Sequence, residues 1–340
     1  MKDRLLDIKN LSTIYKAGTE NIQALSNVSF HIDKGKNFGL VGESGCGKST
    51  LLKTIINVMP DNARVVEGEI RFKNRDLLKL SEEKMNKIRW QQISMVTQSA
   101  MNSLDPVYKV GTQIHETLKV HQKSSWKSSL EKIKKMFSLV GVSFKRHNEF
   151  PHQFSGGMRQ RAIIAMSLIL ERDLVIADEP TTSLDVIVQD QIFTNIRDLQ
   201  KVLGFSMLLV THDIALVIEN CDKIGVMYGG KMMEIGTTYD LVKKSFHPYT
   251  MGLKNSFPNI NDLASDLISI PGSPPELKGN LTGCRFAERC PFSIQPCFEK
   301  DPGFIEVASD HWAACHRHTE VNKIRELAIL PDVWTTGNKY

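Results

Sequence analysis

Alternating apolar and polar residues mark the start of the chain. Residues 6–11 and 28–32 alternate as half-buried antiparallel strands do, and residues 68–72 form another short strand. Four other segments are almost continuously apolar and predict strands buried in a sheet. They comprise residues 37–41, 93–98, 174–179 and 205–213. The mixture of these strands with helical patterns predicts an α/β fold.

Helical spacing dominates the middle of the chain. Apolar residues recur every three or four positions over residues 112–120 and 129–140, and residues 162–170 predict a helix that is buried on most sides. A charged helix is predicted over residues 81–90, with Ser81 as its N-cap. We therefore expect a helical subdomain over about residues 99–170, inserted between strands of the sheet.

Composition narrows the class of protein. The chain has 340 residues, of which 41% are hydrophobic and 24% charged, as in ordinary globular proteins. Its net charge of +5 comes from scattered basic residues and shows no stripe for nucleic acid. The charged start does not resemble a signal peptide, and no apolar run approaches the roughly 20 residues that span a bilayer. We expect a cytosolic chain that crosses no membrane.

A glycine-rich loop lies between a predicted strand and a predicted helix. It fits the phosphate-binding pattern G-x-x-x-x-G-K-[ST] at every defined position. Such glycines let backbone N–H groups turn toward a triphosphate, which the start of the helix also attracts. Lys48 would reach the β- and γ-phosphates, and Ser49 would bind Mg²⁺. The predicted ATP-binding loop consists of Gly42, Glu43, Ser44, Gly45, Cys46, Gly47, Lys48, Ser49 and Thr50.

Other candidate groups follow strands or begin helices. Asp178 and Glu179 end an apolar strand, where one carboxylate would hold Mg²⁺ and the other would polarise water. His212 ends a similar strand, and residues 155–157 (Ser-Gly-Gly) form a second helix start with free N–H groups. Tyr15 precedes the phosphate loop and could stack on an adenine ring.

Together with Gln98 and residues 183–185, these motifs resemble, in their order along the chain, the ATP-binding cassette of ABC transporters over about residues 5–255. The whole chain is similar to the ATP-binding subunits of bacterial oligopeptide and dipeptide importers. The resemblance implies a P-loop NTPase cassette with a RecA-like core, an antiparallel β subdomain and a helical subdomain, followed by a small cysteine-rich C-terminal extension. The implied domains are a cassette over residues 1–260, an extension over residues 261–323 and a tail over residues 324–340.

The resemblance also assigns roles to residues. Tyr15 matches the adenine-stacking aromatic, Gln98 the Q-loop glutamine and His212 the switch histidine. Catalysis is expected from Glu179, His212 and Gln98, and Mg²⁺ binding from Ser49, Gln98 and Asp178. Because the signature cannot reach the phosphate loop of its own chain in this family, it would complete the ATP site of a partner subunit. The signature is Ser155, Gly156, Gly157 and Met158, and the D-loop is Ser183, Leu184 and Asp185.

Four cysteines crowd the end of the chain, at Cys284, Cys290, Cys297 and Cys315. They resemble those of peptide-importer ATPases that ligate a 4Fe-4S cluster. The short knuckles usual for zinc are absent, and a proline follows Cys290, but zinc and unligated thiols remain alternatives. If zinc is bound, His311, His316 or His318 could replace a cysteine. We expect a structural cluster that lies far from the ATP site.

The predicted function is ATP-driven import of dipeptides or oligopeptides through a membrane permease. The expected cofactors are ATP, Mg²⁺ and the 4Fe-4S cluster. The expected partners are a second, non-identical ATPase subunit, two transmembrane permease subunits and, indirectly, an extracytoplasmic peptide-binding protein, but no nucleic acid. The chain would lie peripherally on the cytoplasmic face of the cell membrane. The alternatives are a nickel or oligosaccharide importer and a soluble ABC ATPase without a transport role.

Overall fold

The computed structural model describes residues 3–97, 103–181, 185–256, 268–279 and 281–335. The chain divides into two compact units. The first unit contains the described residues of 1–5, 32–37 and 79–210, and the second contains those of 6–31, 38–78 and 211–340. None of the described helices combines the length and the apolar character that crossing a bilayer requires.

The strands and helices of the described residues follow the predicted pattern in most places. The strands are β1 Arg4–Ala17, β2 Glu20–Asp33, β3 Asn37–Val41, β4 Ala63–Phe72, β5 Arg75–Asp76, β6 Ile93–Val96, β7 Leu174–Asp178, β8 Ser206–Thr211, β9 Lys223–Tyr228, β10 Lys231–Thr237, β11 Ile305–Ala308 and β12 His311–Ala313. The α-helices are α1 Lys48–Ile55, α2 Glu82–Asn86, α3 Val110–Gln122, α4 Trp126–Leu139, α5 Gly156–Leu168, α6 Val186–Leu203, α7 Ile214–Asn220, α8 Thr238–Lys244, α9 Pro248–Asn255, α10 Gln295–Glu299, α11 Val321–Ala328 and α12 Pro331–Thr335.

Parallel strands form the centre of the first unit. β7 pairs in parallel with both β6 and β8, and Asp178 at the end of β7 lies opposite Val210. The apolar side chains of these strands are almost entirely buried, which explains why their sequences lack alternation. The long helices α3 and α4 confirm the two helices predicted by apolar spacing between β6 and α5.

The second unit contains two groups of strands. One is a four-stranded sheet with the order β2-β1-β4-β5, in which β1 and β4 are antiparallel. The other has the order β11-β12-β10-β9-β3. In it β3 pairs in parallel with β9, and the remaining neighbours are antiparallel. The last two strands therefore extend this sheet with residues from the C-terminal part of the chain.

One local prediction is wrong in its C-terminal bound. The helix predicted over residues 81–90 ends at Asn86, and Trp90 adopts a left-handed φ of 65° that a helix cannot contain. The Trp90 N–H instead donates to Ile93 O at 2.8 Å and turns the chain into β6.

Candidate active site

The phosphate loop follows β3, every residue of which is buried, and leads into α1. Gly47 is the N-cap of α1 with φ 105°, and a Cβ atom there would lie 2.6 Å from Ala24 O. A Cβ atom on Gly42 would lie 2.2 Å from Met227 O. Both positions therefore require glycine. No side chain caps this helix, so its first N–H groups are not blocked by a capping side chain.

Lys48 begins α1 and is only 8% exposed. Its Nζ donates to Gly42 O at 2.5 Å and to Glu43 O at 3.0 Å. The ammonium group is thus held inside the loop by two backbone carbonyls. Such bonds position a cation where phosphate oxygens can replace the carbonyl partners.

Tyr15 lies beside the same loop, although 35 residues separate it from Thr50. Its hydroxyl is 3.3 Å from Thr50 Oγ1, and its side chain is half-buried near the end of β1. The structure therefore brings this predicted nucleotide contact to the start of α1.

Glu179 has an unusual backbone conformation in the first unit. It follows β7 with φ 46°, a left-handed conformation that costs a non-glycine residue roughly 1–2 kcal/mol. Its N–H donates to Val210 O of β8 at 2.8 Å, and Gln160 of α5 donates to the carbonyl of the next residue, Pro180. These bonds hold the strained residue in place, and strain of this kind concentrates at functional sites. Nothing in the sequence predicted it.

The signature motif begins α5. Ser155 is the N-cap, and its Oγ accepts from the Met158 N–H at 3.3 Å. A Cβ atom on Gly157 would lie 2.8 Å from Val188 Cγ1 of α6, so the glycine allows α5 and α6 to pack closely. Asp185, from the predicted D-loop, caps α6 by accepting from the Val188 N–H at 2.9 Å. The signature and Asp185 are thus brought together.

His212 follows β8 directly and is exposed. The next residue, Asp213, caps α7 by accepting from the Ala215 and Leu216 N–H groups. Three predicted site residues, Gln98, Ser183 and Leu184, lie outside the described residues.

The four clustered cysteines line one small cavity of about 20 Å³ in the second unit. None of them forms a disulfide. Burial raises the pKa of the Cys284 thiol to about 11 and that of Cys315 to about 12. Burial also raises the pKa of Cys290 well above its ordinary value. Within the described parts of the chain, no group of three or more His, Cys, Asp or Glu side chains is arranged to hold a single metal ion.

The three histidines considered as zinc ligands have other partners. His311 Nε2 lies 2.7 Å from Glu234 Oε1, His316 Nε2 lies 2.8 Å from Lys300 O, and His318 Nδ1 lies 2.9 Å from Cys315 O. Each ring therefore has one nitrogen engaged in a hydrogen bond outside a metal site.

One residue of the cysteine segment contacts the phosphate loop directly. Arg289 immediately precedes Cys290, and its Nη1 donates to Glu43 Oε2 at 2.7 Å. The cysteine segment therefore reaches the phosphate loop through the side chain of Arg289. Sequence reasoning missed this contact because 246 residues separate the partners and no motif links them.

Comparison with known proteins identifies the family. Residues 25–182 match the family described as "ABC transporter", and residues 233–297 match "Oligopeptide/dipeptide transporter, C-terminal region". The chain is 45% identical to a probable peptide ABC transporter ATP-binding protein of Sinorhizobium fredii, over 94% of this chain and 96% of that protein. The chain belongs to the peptide ABC transporter ATPases. It is also 42% identical to the dipeptide transport ATP-binding protein DppD of Bacillus subtilis, over 92% of this chain and 94% of that protein.

A solved structure supports the same assignment for the fold. The dimeric structure of the bacterial ABC transporter cassette MJ0796 aligns with a TM-score of 0.62 at 27% identity, covering 68% of this chain and 98% of that one. The predicted resemblance and the ABC cassette fold are thereby confirmed. As an ABC transporter ATPase, the chain is an ATP hydrolase whose site fits ATP and Mg²⁺, and it works with transmembrane permease subunits.

Proposed function

We propose that this ATPase couples ATP binding and hydrolysis to the import of dipeptides or oligopeptides through a membrane permease. One observation carries the proposal: the likeness to named peptide-transport ATPases extends beyond the cassette into the C-terminal region. The chain would act peripherally at the cytoplasmic face of the membrane. For this role the chain would be organised as a cassette over residues 1–260, an extension over residues 261–323 and a tail over residues 324–340.

ATP would bind at the phosphate loop, residues 42–50. Lys48 Nζ would exchange its bonds to backbone carbonyls for β- and γ-phosphate oxygens, which compensates the charge of the triphosphate. The first N–H groups of α1 would donate to the same phosphates. Tyr15 would stack on the adenine. Ser49, Gln98 and Asp178 would hold Mg²⁺, which neutralises charge on the transferred phosphoryl group.

Glu179 would serve as the general base. Its carboxylate would take a proton from a water molecule as the water oxygen bonds to the γ-phosphorus, and ADP would leave with the bridging oxygen. The fixed backbone at Glu179 supports this role because a carboxylate must be aimed at the water. His212 would contact the γ-phosphate, and Gln98 would orient the water.

A second cassette would complete each ATP site. Ser155, Gly156, Gly157 and Met158 would contact the ATP of the partner subunit, and Ser183, Leu184 and Asp185 would line the interface. The helix start at α5 supports this role, since a helix N-terminus attracts anions although the Ser155 side chain occupies the Met158 N–H, and the related cassette was solved as a dimer. We propose a non-identical second ATPase, two permease subunits, an extracytoplasmic peptide-binding protein as an indirect partner, and no nucleic-acid partner.

We further propose that the cysteine-rich extension holds a 4Fe-4S cluster through Cys284, Cys290, Cys297 and Cys315. The cavity that they line has room for little more than one water molecule, so it excludes an organic ligand. Because a 4Fe-4S cluster contains four iron and four sulfide ions, the four thiols would have to move apart to hold it. The observation that supports the proposal is that all four thiols line the same cavity, since four cysteine thiolates are the usual ligands of a 4Fe-4S cluster. When bound, the cluster would cross-link the segment.

Transport by an assembled complex tests the proposal. The chain would be co-purified with its permease subunits, reconstituted in liposomes, and supplied with ATP and a labelled dipeptide or oligopeptide together with the binding protein. We expect ATP-dependent peptide uptake that the Glu179→Gln variant abolishes. Uptake of nickel or an oligosaccharide without peptide uptake would assign another cargo. A complex with two copies of this chain and no second ATPase would refute the proposed pairing.

A further inference from the structure

The segment that carries Cys284 and Cys290 also carries Arg289, which binds Glu43 of the phosphate loop. Three further hydrogen bonds hold the Arg289 guanidinium group in place. Its Nε donates to Pro271 O at 2.8 Å, its Nη2 to Ile270 O at 3.2 Å, and its Nη1 to the Tyr228 hydroxyl at 3.0 Å. Since a guanidinium group is planar, these bonds aim the remaining donor of Nη1 at Glu43. The arginine side chain is only 8% exposed.

A second route connects the same segment to the same loop residue. The backbone N–H of Glu43 donates to the Tyr249 hydroxyl at 3.0 Å. The Tyr249 ring is fully buried and packs against Phe286, with 5.1 Å between ring centroids. Phe286 lies between Cys284 and Cys290 in the chain and is itself fully buried. The cysteine segment therefore holds the side chain of Glu43 directly, through Arg289. It holds the backbone of Glu43 indirectly, through the packing of Phe286 on Tyr249.

Glu43 is an acidic residue within a loop that binds a triphosphate. Its carbonyl oxygen also accepts from Lys48 Nζ, so movement of Glu43 would displace a partner of the lysine. Without Arg289, its carboxylate would oppose the negative charge of the nucleotide. A repulsion of about 1.4 kcal/mol lowers affinity about tenfold. This energy is below the interaction of two unit charges a few ångströms apart near a protein surface.

We propose that Arg289 is a positioning residue of the phosphate loop, which neutralises Glu43 and thereby couples the folding of the cysteine segment to nucleotide affinity. The inference rests on the proposed function, because it requires ATP at this loop. Thermodynamic linkage makes the coupling reciprocal, so bound ATP must stabilise residues 284–290 by the same free energy.

The test measures ATP affinity of the full chain by isothermal titration calorimetry. Arg289→Gln should weaken ATP binding about tenfold, and the loss should shrink as salt rises from about 0.05 to 0.5 M. Glu43→Gln removes the acidic charge from the loop and should tighten ATP binding, and adding it to Arg289→Gln should recover most of the lost affinity. This recovery separates charge neutralisation from a purely structural effect.

Arg317→Gln is the matched control. Arg317 belongs to the same extension, lines the same cavity and pairs with Glu320 at 2.8 Å, but its bonds reach Phe292 O and Glu320 rather than the loop. We expect unchanged ATP affinity. Hydrogen exchange supplies an independent readout, since ATP should slow exchange in residues 284–290 of wild type and of Arg317→Gln but not of Arg289→Gln.

The outcomes are distinguishable. Wild-type ATP affinity in Arg289→Gln, or an equal loss in Arg317→Gln, would overturn the coupling and leave the proposed function intact. A wild-type chain that binds no ATP would overturn both. If Arg289→Gln does not fold, a fivefold or greater loss of affinity in Glu43→Gln would contradict the proposed charge effect on its own.

Discussion

Glu234 is a buried acid that joins three parts of the second unit. It lies in β10 with no exposed surface. Its carboxylate accepts from the Phe246 N–H at 2.6 Å and from the His247 N–H at 3.0 Å, and Oε1 lies 2.7 Å from His311 Nε2 of β12. One side chain therefore holds the turn before α9 and the strand that the C-terminal extension adds to the sheet.

Replacing Glu234 with alanine should be strongly destabilising. It would leave the buried His247 N–H and the buried His311 Nε2 without this acceptor, together with the part-buried Phe246 N–H. An orphaned buried group costs about 1–3 kcal/mol, so the two buried groups alone predict a loss of about 2–6 kcal/mol in the free energy of unfolding. Glu234→Gln keeps one acceptor oxygen and should lose about half as much. Because point mutants seldom lose more than about 4 kcal/mol of unfolding free energy, Glu234→Ala would be among the strongly destabilising ones.

Urea unfolding of the purified chain would measure this loss, with fluorescence of Trp312 and Trp334 reporting on the second unit. Glu67→Ala is the matched control, because Glu67 is also a strand glutamate but is exposed; it should change the unfolding free energy by less than about 0.5 kcal/mol. A Glu234→Ala midpoint that coincides with that of the control would refute the reasoning.

Three further predictions follow from other residues. Glu179→Gln should bind ATP but lose about 10²–10⁴-fold in hydrolysis in the assembled complex, whereas Lys48→Ala should weaken ATP binding itself; wild-type turnover in Glu179→Gln would exclude its role as base. Arg172 is 3% exposed, its guanidinium nitrogens lack a hydrogen-bond partner within the described residues, and burial lowers its pKa to about 9. The pKa of Arg172 lies above 7 in both the folded and the unfolded state, so the free-energy cost of burying its charge is constant near neutral pH. Arg172→Met removes that cost and should raise the free energy of unfolding by about 1–4 kcal/mol. A melting temperature below that of the wild type would contradict this. Anaerobically purified protein should be brown and contain equal iron and acid-labile sulfide, both lost in Cys297→Ser; colourless protein with one zinc, or with four titratable thiols, would exclude the cluster.

Local patterns predicted the parts of the site that depend on local geometry. The phosphate loop needs glycines between a buried strand and a helix, and all three features are visible within residues 37–56. Strands were predicted over residues 174–179 and 205–213 because burial on both faces makes such sequences continuously apolar, and the structure has parallel strands over 174–178 and 206–211.

Long-range polar contacts could not be predicted in the same way. The contact between Arg289 and Glu43 and the contact between His311 and Glu234 join residues far apart in sequence, and no spacing rule relates them. One signal was present for the second contact: Glu234 is the one charged residue within the buried stretch 232–236 of β10, and a buried charge requires partners. The left-handed conformations of Trp90 and Glu179 contradict local propensity, and that of Glu179 is accompanied by bonds to residues distant in sequence.

The pairing of β12 with β10 has a practical consequence for anyone who shortens this protein. Ile235 pairs with Trp312 and Glu234 with Ala313, while the Ala314 N–H donates to Met233 O at 2.8 Å. A chain cut before residue 305 would leave that side of β10 as an open edge, with apolar residues and unpaired backbone groups facing solvent. Open edges of this kind recruit strands from other molecules. Shortened versions should therefore be designed with a charged residue or a proline on β10, or they will self-associate.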